Sequence, residues 1–469
     1  MQKLQGISPF RLSALLRREK NPKLALQLFL NPNSSLTSNN NYNKPFSYSL
    51  LSYDLIITKL GRAKLFDELE LILSKLKLES RFTPTEIIFC NVITYYARAR
   101  LAERALNVFD EMPSFRCPRT VKSLNTLLNG LLICREFDKM RKLFVVMDRF
   151  ACPDVCTFNI MINACRMLND VEGAWKVFGE MRQRRIQPNE VSFSTLIAGL
   201  CTSLKMKEAL KLKKDMTRVY NVKPNLYVYT SLIKGLCETN ELSLAFQLRD
   251  ELLDSNVEVD SAIYTTLISG LFKAGRMDEV DVLIEEMKRV GCIPVTATYN
   301  ALISGYCSEK RLDLALKCLN ELEEKAYKRE VISYNVLIRA YFNEGKIKEA
   351  IDLFEDMPRR GCKPDVVSYR VVVQGLLSGM KLKEVAFVLD EMMFKGYAPH
   401  LITVNKFLNL LHEEGNLELL FEVVNSLAKG NYIDTNSWHL AVSIVIAKHE
   451  VLHFVDAFDA LTKSHTMTT

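Results

Sequence analysis

The sequence of 469 residues lacks any apolar run long enough to cross a bilayer. A membrane-spanning helix needs about 20 consecutive apolar residues, whereas the longest near-candidate, Leu440–Ala447, has eight. This excludes an integral membrane protein. Hydrophobic residues make up 48% of the chain and charged residues 25%. These proportions are ordinary for folded protein, and they exclude a disordered chain.

Most of the chain also lacks an excess of charge of one sign. Residues 50–469 carry 55 basic and 54 acidic side chains, while residues 1–49 carry seven and one. Net charge therefore gives no evidence for nucleic-acid binding by residues 50–469, and a basic groove would have to arise from patterning. The first 49 residues, basic and serine-containing, are typical of a transit peptide.

Signals of catalysis and of cofactor binding are scarce. The chain has 12 cysteines but no Cys-x-x-Cys pair, no phosphate-binding glycine loop and no nucleophile arrangement. Seven of the cysteines recur at two positions of a repeating segment described below. Cys117, Cys152, Cys292 and Cys362 share the first position, and Cys201, Cys237 and Cys307 share the second. We therefore expect buried free thiols in a reducing compartment. No metal, cofactor, small-molecule substrate or enzymatic activity is expected.

One short motif resembles a zinc site. His449 and His453 flank Glu450 in the pattern His-Glu-x-x-His, in which two histidines one helical turn apart bind zinc and the glutamate acts as a base. Asp459 follows where a third ligand could lie, but Asp456 stands where a chain-turning glycine would be needed. Only sixteen residues follow His453, too few for a substrate cleft. We interpret the motif as a chance match.

What the sequence does contain is a repeat. The segment from Val331 to Asp365 aligns without gaps with the segments 296–330 and 261–295, each of 35 residues. Such self-similarity at a fixed period is the signature of a repeat architecture. Eleven units are predicted: 50–85, 86–120, 121–154, 155–189, 190–225, 226–260, 261–295, 296–330, 331–365, 366–400 and 401–434.

The flanking segments are expected to be irregular versions of the same unit. Residues 435–469 are predicted to form a degenerate capping repeat at the C-terminal side. Residues 1–49 combine the targeting segment with a partial repeat, because Ala25 and Phe29 have the spacing of Ala350 and Phe354. A connector then leads to Leu50.

Each unit is expected to form two helices. In the unit 331–365, one apolar stripe at helical spacing precedes Gly345 and a second follows it, ending near Pro364. A helix pair this short cannot bury its apolar face alone, so neighbouring pairs must stack. The predicted fold is all-α: a right-handed α-solenoid of stacked helix-turn-helix repeats of about 35 residues.

The details of the repeat resemble those of one family. Units open with Tyr-Asn-x-Leu-Ile-x-Gly, as at Tyr299–Gly305, and end in Pro-Asp, as at Pro364-Asp365. Tetratricopeptide repeats open differently, with Trp-x-x-Leu-Gly-x-x-Tyr. The sequence is similar to pentatricopeptide repeat proteins of the P class, the plant organellar type. That resemblance implies sequence-specific binding of single-stranded RNA, with one base contacted by each repeat.

The resemblance implies which side chains read the bases: a polar residue just after the aromatic one, together with the last residue of the repeat. The pairs are Asn125 with Asp154, Asn159 with Asn189, Ser194 with Asn225, Thr230 with Asp260, Thr265 with Val295, Asn300 with Glu330, Asn335 with Asp365, and Asn405 with Asp434. In chain order these imply U, a pyrimidine, A, G, a purine, a pyrimidine, U and U. An alternative interpretation of the polar column is helix-start polarity near a cap.

The resemblance also implies a column of residues that sandwich the bases. They stand at the second position of their repeats: Val191, Tyr227, Ala262, Ala297, Ile332, Val367 and Ile402. Three pairs depart from the pattern and carry no predicted base: Asp54 with Thr85, Cys90 with Thr120, and Arg370 with His400.

The expected partner is therefore single-stranded RNA, with other organellar RNA-processing proteins as further candidates. Arg17-Arg18 favours mitochondria, and the chloroplast is the alternative. The expected role is RNA stabilisation, processing, splicing or translation. The competing hypothesis is a protein-interaction scaffold of tetratricopeptide-like type, which would have no need of the paired polar columns.

Overall fold

The computed structural model describes residues 8–32, 46–255, 259–324, 330–429 and 432. Within them the protein is built from helices and turns and has no strand. The all-α class and the helix-turn-helix repeat are therefore confirmed. The predicted capping repeat 435–469, the His449–His453 motif and Asp434 lie outside the described residues.

The described residues form 24 α-helices with regular bounds, and most contain 13 residues. They are α1 Pro9–Arg18, α2 Pro22–Leu30, α3 Leu50–Arg62, α4 Phe66–Leu78, α5 Glu86–Arg98, α6 Ala102–Glu111, α7 Val121–Cys134, α8 Phe137–Val146, α9 Val155–Met167, α10 Val171–Gln183, α11 Glu190–Thr202, α12 Met206–Arg218, α13 Leu226–Glu238, α14 Leu242–Asp254, α15 Ser261–Lys273, α16 Val280–Arg289, α17 Thr296–Ser308, α18 Leu312–Glu324, α19 Val331–Asn343, α20 Ile347–Arg359, α21 Val366–Ser378, α22 Leu382–Phe394, α23 Leu401–Glu413 and α24 Leu417–Lys429.

Short 3₁₀ turns adjoin three of the second helices. Met112–Phe115 follows α6, Met147–Arg149 follows α8, and Met277–Glu279 precedes α16. The first of these contains Pro113, which has no backbone N–H to continue the α-helical ladder.

The first helix of many repeats begins at a capped residue. In three repeats the cap side chain accepts a hydrogen bond from the backbone N–H of the residue three positions later; the caps are Asp154, Asn189 and Asp365. That later residue is a Ser or Thr, and its hydroxyl accepts a hydrogen bond from the cap residue's own N–H. This capping box satisfies N–H groups that have no partner inside the helix. The last residue of a repeat is therefore also the cap of the next helix.

The turn between the two helices of a repeat always contains one residue in the left-handed conformation. Glycine occupies it in three repeats, for example Gly345 with φ +71°, and other residues occupy it in eight. The eight are Lys64, Arg100, Arg135, Asn169, Leu204, Asn240, Lys310 and Met380. The turn geometry is thus set by the repeat rather than by glycine.

The chain divides into two compact units, Met1–Gly235 and Leu236–Thr469. In the first unit α5 packs on α7, α7 on α9 and α9 on α11, and the rings of Phe89, Phe158 and Phe193 on these helices are buried. Helices α1 and α2 pack on each other and on α3. Ala25 and Phe29 are fully buried there, as the partial-repeat spacing suggests.

The second unit repeats this arrangement. Its first helices α15, α17, α19 and α21 pack in sequence, each also contacting its own second helix. Tyr264, Tyr334 and Tyr369 are buried. A glycine in the first helix allows the close approach: a methyl group at Gly305 would overlap the ring of Phe272, and one at Gly375 would overlap Phe342.

Candidate nucleic-acid interface

An open groove of about 760 Å³ runs along the first helices of the unit Met1–Gly235. It is lined from α7, α9, α11 and the start of α13. Seven of the residues predicted from sequence line it: Asp154, Asn159, Asn189, Val191, Ser194, Asn225 and Tyr227. In this unit, members of all three predicted columns therefore face the same groove: the polar residue, the last residue and the second residue of a repeat.

Asn125 and Asp154 form a direct contact. The side-chain Nδ2 of Asn125 donates to Oδ1 of Asp154 at 2.9 Å. The hydroxyl of Thr157 donates to Oδ1 of Asn125 at 2.7 Å, and the backbone N–H of Thr157 donates to Asp154 at 2.9 Å. The predicted pair is thus held by a third residue from the following repeat.

Asn159 and Asn189 form the same network. Nδ2 of Asn159 donates to Oδ1 of Asn189 at 3.1 Å, and the hydroxyl of Ser192 donates to Oδ1 of Asn159 at 2.6 Å. The backbone N–H of Ser192 donates to Asn189 at 3.1 Å. The amide of Asn189 is therefore oriented by its capping role.

In the other unit, Leu236–Thr469, Asn300 has equivalent partners. Its Nδ2 donates to a carboxylate oxygen of Glu330 at 2.8 Å, and the hydroxyl of Ser333 donates to its Oδ1. Glu330 does not cap α19 with its side chain. This pair therefore forms without the capping box.

Other predicted pairs are not joined in this way. Ser194 donates to the carbonyl of Glu190 at 2.6 Å, whereas the Asn225 amide donates to the Glu190 carboxylate. Oδ1 of Asn225 accepts from the backbone N–H of Val228 at 3.0 Å. Glu190 therefore contacts both members of the pair, through different groups.

The threonines of the reading column bond to their own helices. Thr230 donates to the carbonyl of Leu226 and Thr265 to that of Ser261, both at 2.8 Å. The hydroxyls of Thr265 and Thr298 also lie 2.8 Å apart. Asp260 caps α15 through the N–H of Ala262 at 3.3 Å. Val295, exposed at the end of its repeat, has no polar side-chain atom to pair with Thr265.

Asn335 and Asn405 differ from the other asparagines of the column. Oδ1 of each is buried and has no hydrogen-bond partner among the described residues. Asp365 instead accepts from the N–H and the hydroxyl of Ser368, at 2.8 and 3.0 Å. The partner predicted for Asn405, Asp434, lies outside the described part of the chain.

The predicted base-sandwiching column is exposed. Its large apolar members are 44–75% accessible: Val191, Tyr227, Ile332, Val367 and Ile402. Ala262 and Ala297 are also exposed. Two members of the column, Val191 and Tyr227, line the same groove.

The carboxylate of Asp154 stays ionised to lower pH than usual. Burial opposes its ionisation, but hydrogen bonds from Asn125 and Thr157 outweigh this and lower its pKa. The pKa of Glu86 is lowered in the same way, against burial, by hydrogen bonds from Thr120 and Ser123. Both carboxylates therefore act as acceptors near neutral pH.

The repeats that depart from the pattern also differ in structure. The hydroxyl of Thr120 donates to Glu86 at 2.6 Å, and Cys90 is buried. Arg370 is exposed and donates to the carbonyl of Ala398 at 3.2 Å. Asp54 is partly buried, while Thr85 and His400 precede their helices without a side-chain cap.

One column of the network was not singled out from the sequence. It is a buried hydroxyl at the third position of a repeat: Ser123, Thr157, Ser192, Thr298, Ser333 and Ser368. Each stands just before a large aromatic or leucine side chain on the core side of its helix. Its recurrence between apolar neighbours is visible in the sequence and is the signal that could have found it.

The cysteines are free thiols. Cys117, Cys201, Cys237 and Cys362 are buried, as predicted. The prediction is wrong for Cys152, which is exposed in the segment before α9, and Cys292 and Cys307 are only half-buried. Cys156 is exposed as well and lines the groove.

Among the described residues, no group of three or more His, Cys, Asp or Glu side chains is placed to hold a metal ion. The described helices also include none that is both long and apolar enough to cross a membrane.

Three family models match the chain. One described as the PPR repeat family matches residues 119–167, 153–202, 191–238 and 329–378; one described as a pentatricopeptide repeat domain matches 247–309; and one described as PPR repeat matches 87–117, 227–257 and 297–326. Together the matches span 87–117, 119–326 and 329–378, which is more than half of the chain.

Curated relatives carry the same repeats. A pentatricopeptide repeat-containing protein of Arabidopsis thaliana is 48% identical over 262 residues, covering 56% of this chain and 55% of the relative. A second from the same plant, named mitochondrial, is 32% identical over 180 residues, covering 37% and 44%. The chain thus spans about half the length of the curated relatives it matches, or less.

Two solved structures are similar. Pentatricopeptide repeat protein PPR10 in complex with an 18-nt psaJ RNA element has a TM-score of 0.40 and 18% identity, over 97% of this chain and 70% of that chain. Yeast Rmd9p in complex with a 16-nt target RNA has a TM-score of 0.40 and 11% identity, over 91% and 86%. On the repeat period, the helix pairs and the family matches, the chain belongs to the pentatricopeptide repeat family.

Proposed function

We propose that this protein binds single-stranded RNA in a sequence-specific manner, with one base at each repeat and the repeat boundaries predicted from the sequence. The observation that carries the proposal is the groove along α7 to α13. There a polar column, a terminal Asp/Asn column and an exposed apolar column face one open space. Stacking surfaces and hydrogen-bonding groups in alternation are what a strand of unpaired bases requires.

The hydrogen bonds suggest how a base would be read. Nδ2 of an asparagine carries two N–H groups. Asp154, which lines the groove, accepts one from Asn125, so the second is left for a ligand. A donor at this position suits the carbonyl oxygens of uracil and cytosine. The family pattern assigns U to this repeat and a pyrimidine to the repeat of Asn159.

The exposed apolar column would hold the bases in place. Val191 and Tyr227 stand on successive first helices at the same position, about half exposed. A base inserted between two such side chains would bury apolar surface on both faces. This contribution is independent of base identity, so it would add affinity while the polar pairs add specificity.

The electrostatics of the groove predict a moderate dependence on salt. Among its lining residues Asp154 is acidic and Arg166 is basic. Binding would therefore depend on stacking and hydrogen bonding more than on neutralising phosphates, and it should weaken less steeply with salt than in strongly basic RNA-binding proteins.

The proposal extends to cellular context. We assign the chain to the P class, the organellar type, with a role in RNA stabilisation, processing, splicing or translation. A mitochondrial address is supported by relatives named mitochondrial. A relative named chloroplastic supports the alternative organelle. We propose no enzymatic activity for the chain itself, with RNA as its ligand and other RNA-processing proteins as candidate partners.

The proposal is tested by selecting purified protein against a random pool of single-stranded RNA and sequencing the bound fraction at moderate salt. The expected result is one enriched motif that contains U-pyrimidine-A-G, in the order of repeats 121–154 to 226–260. Binding without a motif would contradict base reading. No binding would overturn the RNA function and favour the protein-interaction scaffold.

A further inference from the structure

We infer that the buried hydroxyl at the third position of the following repeat orients the asparagine that reads the base. Ser192 would do so for Asn159, Thr157 for Asn125 and Ser333 for Asn300. The inference rests on the proposed function and adds a third, positioning residue to each of these repeats. The residue belongs to the neighbouring repeat, so base reading would depend on how two repeats stack.

The hydroxyls are placed for this task and away from the RNA. The residues Thr157 and Ser192 are fully buried, and Ser333 is 2% exposed. Each donates to Oδ1 of an asparagine in the preceding repeat, from Thr157 at 2.7 Å and from Ser192 at 2.6 Å. A residue so buried does not contact a base itself and acts only through the asparagine.

A count of protons fixes the direction of these bonds. The hydroxyl of Ser192 accepts from the backbone N–H of Asn189 at 3.2 Å, so its single proton is free to be donated. Oδ1 of Asn159 lies 2.6 Å away and Oδ1 of Asn189 3.1 Å away. The shorter contact receives the proton. Thr157 has the same choice between Asn125 at 2.7 Å and Asp154 at 3.0 Å.

The consequence is a single orientation of the asparagine amide. Oδ1 faces the buried hydroxyl, and Nδ2 faces the last residue of the repeat. Turning the amide of Asn125 over would bring its oxygen against the Asp154 carboxylate and break both hydrogen bonds. The group left for a base is therefore an N–H donor rather than a carbonyl acceptor. The hydroxyl contributes to this choice because it occupies the amide oxygen.

The chain itself offers a comparison. Ser368 occupies the same position and makes the same capping contacts, with Asp365, but it does not bond to Asn335. Oδ1 of Asn335 is buried and finds no partner in the part of the chain that the structure describes. Ser333 shows the reverse case, because it bonds to Asn300 although Glu330 does not cap α19 with its side chain. Three serines therefore separate the two roles. Ser192 makes both the capping contacts and the bond to an asparagine, Ser333 bonds to the asparagine without a side-chain cap at Glu330, and Ser368 makes only the capping contacts.

The experiment uses the full chain and the RNA motif found by selection, with all four bases placed in turn at the nucleotide read by each repeat. The variants are Ser192→Ala, Ser333→Ala and Ser368→Ala. We expect S192A to reduce the preference for a pyrimidine at the nucleotide read by Asn159 by about 3- to 10-fold, the effect of one hydrogen bond. S333A should have the same effect at the nucleotide read by Asn300. S368A should leave base preference unchanged at every nucleotide.

A conservative pair adds a second measurement. Thr157→Ser keeps the hydroxyl and should keep the preference for U at the nucleotide of Asn125. Thr157→Val keeps the shape and should lose the preference. Base preference is the readout because a loss of stability alone would weaken binding to every RNA equally.

The outcomes separate this inference from the proposed function. Asn159→Ala serves as the reference, since it removes the reading group itself. If N159A changes preference at one nucleotide while S192A and S333A do not, the orienting role is overturned and base reading stands. If N159A changes no preference in a protein that binds RNA, base reading is overturned, and the orienting role with it.

Discussion

The side-chain amide of Asn125 donates to the carboxylate of Asp154 at 2.9 Å, although 29 residues separate the two in the chain. Asn125 lies in α7, and Asp154 caps α9. Asp154 thus has two tasks, starting the next helix and holding the side chain of Asn125. A change at Asp154 would affect both, so the clean test is at Asn125.

Replacing Asn125 by threonine while Asp154 is kept should move the base preference of this repeat from U to G, by about tenfold in relative affinity. The amide N–H proposed to meet a pyrimidine is lost, and the family pattern assigns G to the Thr–Asp pair. The measurement is binding to RNAs that differ only at this nucleotide. Asn163→Thr, a change at a residue that lines the groove, is the control and should leave base preference unaltered. Equal loss for all four bases would contradict a reading role.

Gly305→Ala should destabilise the protein by about 1–3 kcal/mol, because the added methyl group would overlap the buried contact with Phe272. Unfolding in urea, followed by circular dichroism, measures the change. Gly179→Ala is the matched control: it also lies in a helix, but its methyl group would meet no described atom within 4 Å. That variant should gain up to about 1 kcal/mol from helix propensity. Similar effects in both variants would show that the stacking contact does not matter.

Leu204→Gly should stabilise the protein by about 0.5–1 kcal/mol. Leu204 has φ +57° and is 57% exposed, so glycine removes a strained conformation at little loss of burial. Gly275→Ala tests the converse, since Gly275 has φ +69° and open space around it. A midpoint in urea that rises for L204G and falls for G275A is expected. An unchanged midpoint in both would mean that the turn relaxes at no cost.

Stability should fall at alkaline pH through buried thiols. Burial raises the pKa of Cys201 to about 12 and that of Cys237 to about 11. A thiol in an unfolded chain titrates at about 8.5. The folded protein therefore holds these protons more tightly, and the contribution to stability is complete below the unfolded pKa and lost as pH rises towards the folded values.

Urea unfolding at pH 7, 9 and 10 measures this fall, and native-state labelling with a thiol reagent at pH 8 gives an independent reading. Exposed Cys152 and Cys156 should react in the folded protein, whereas Cys201 and Cys237 should react only after unfolding. Rapid labelling of Cys201 in the native state would contradict its burial.

Much of the fold could be predicted from the sequence because its signals are local. A 35-residue period, two apolar stripes in each unit and a break between them specify helix pairs, and helices that short must stack. The left-handed turn was harder to predict, since Leu204 and Met380 occupy it as Gly345 does. In these turns the packing of the two helices imposes a positive φ on the turn residue, whatever its side chain.

The sequence by itself determined the period, the helix pairs and the polar columns, because each depends on residue types at fixed spacings. It did not distinguish Asn125 with Asp154 from Asn335 with Asp365, which have the same residues in the same places. Only the tertiary structure did so. Thr157 bonds to both Asn125 and Asp154, whereas Ser368 bonds to Asp365 alone, and the oxygen of Asn335 has no partner among the described residues. Hydrogen bonds form only within a narrow range of distance and angle. The placement of one helix against the next therefore decides which polar pairs are joined.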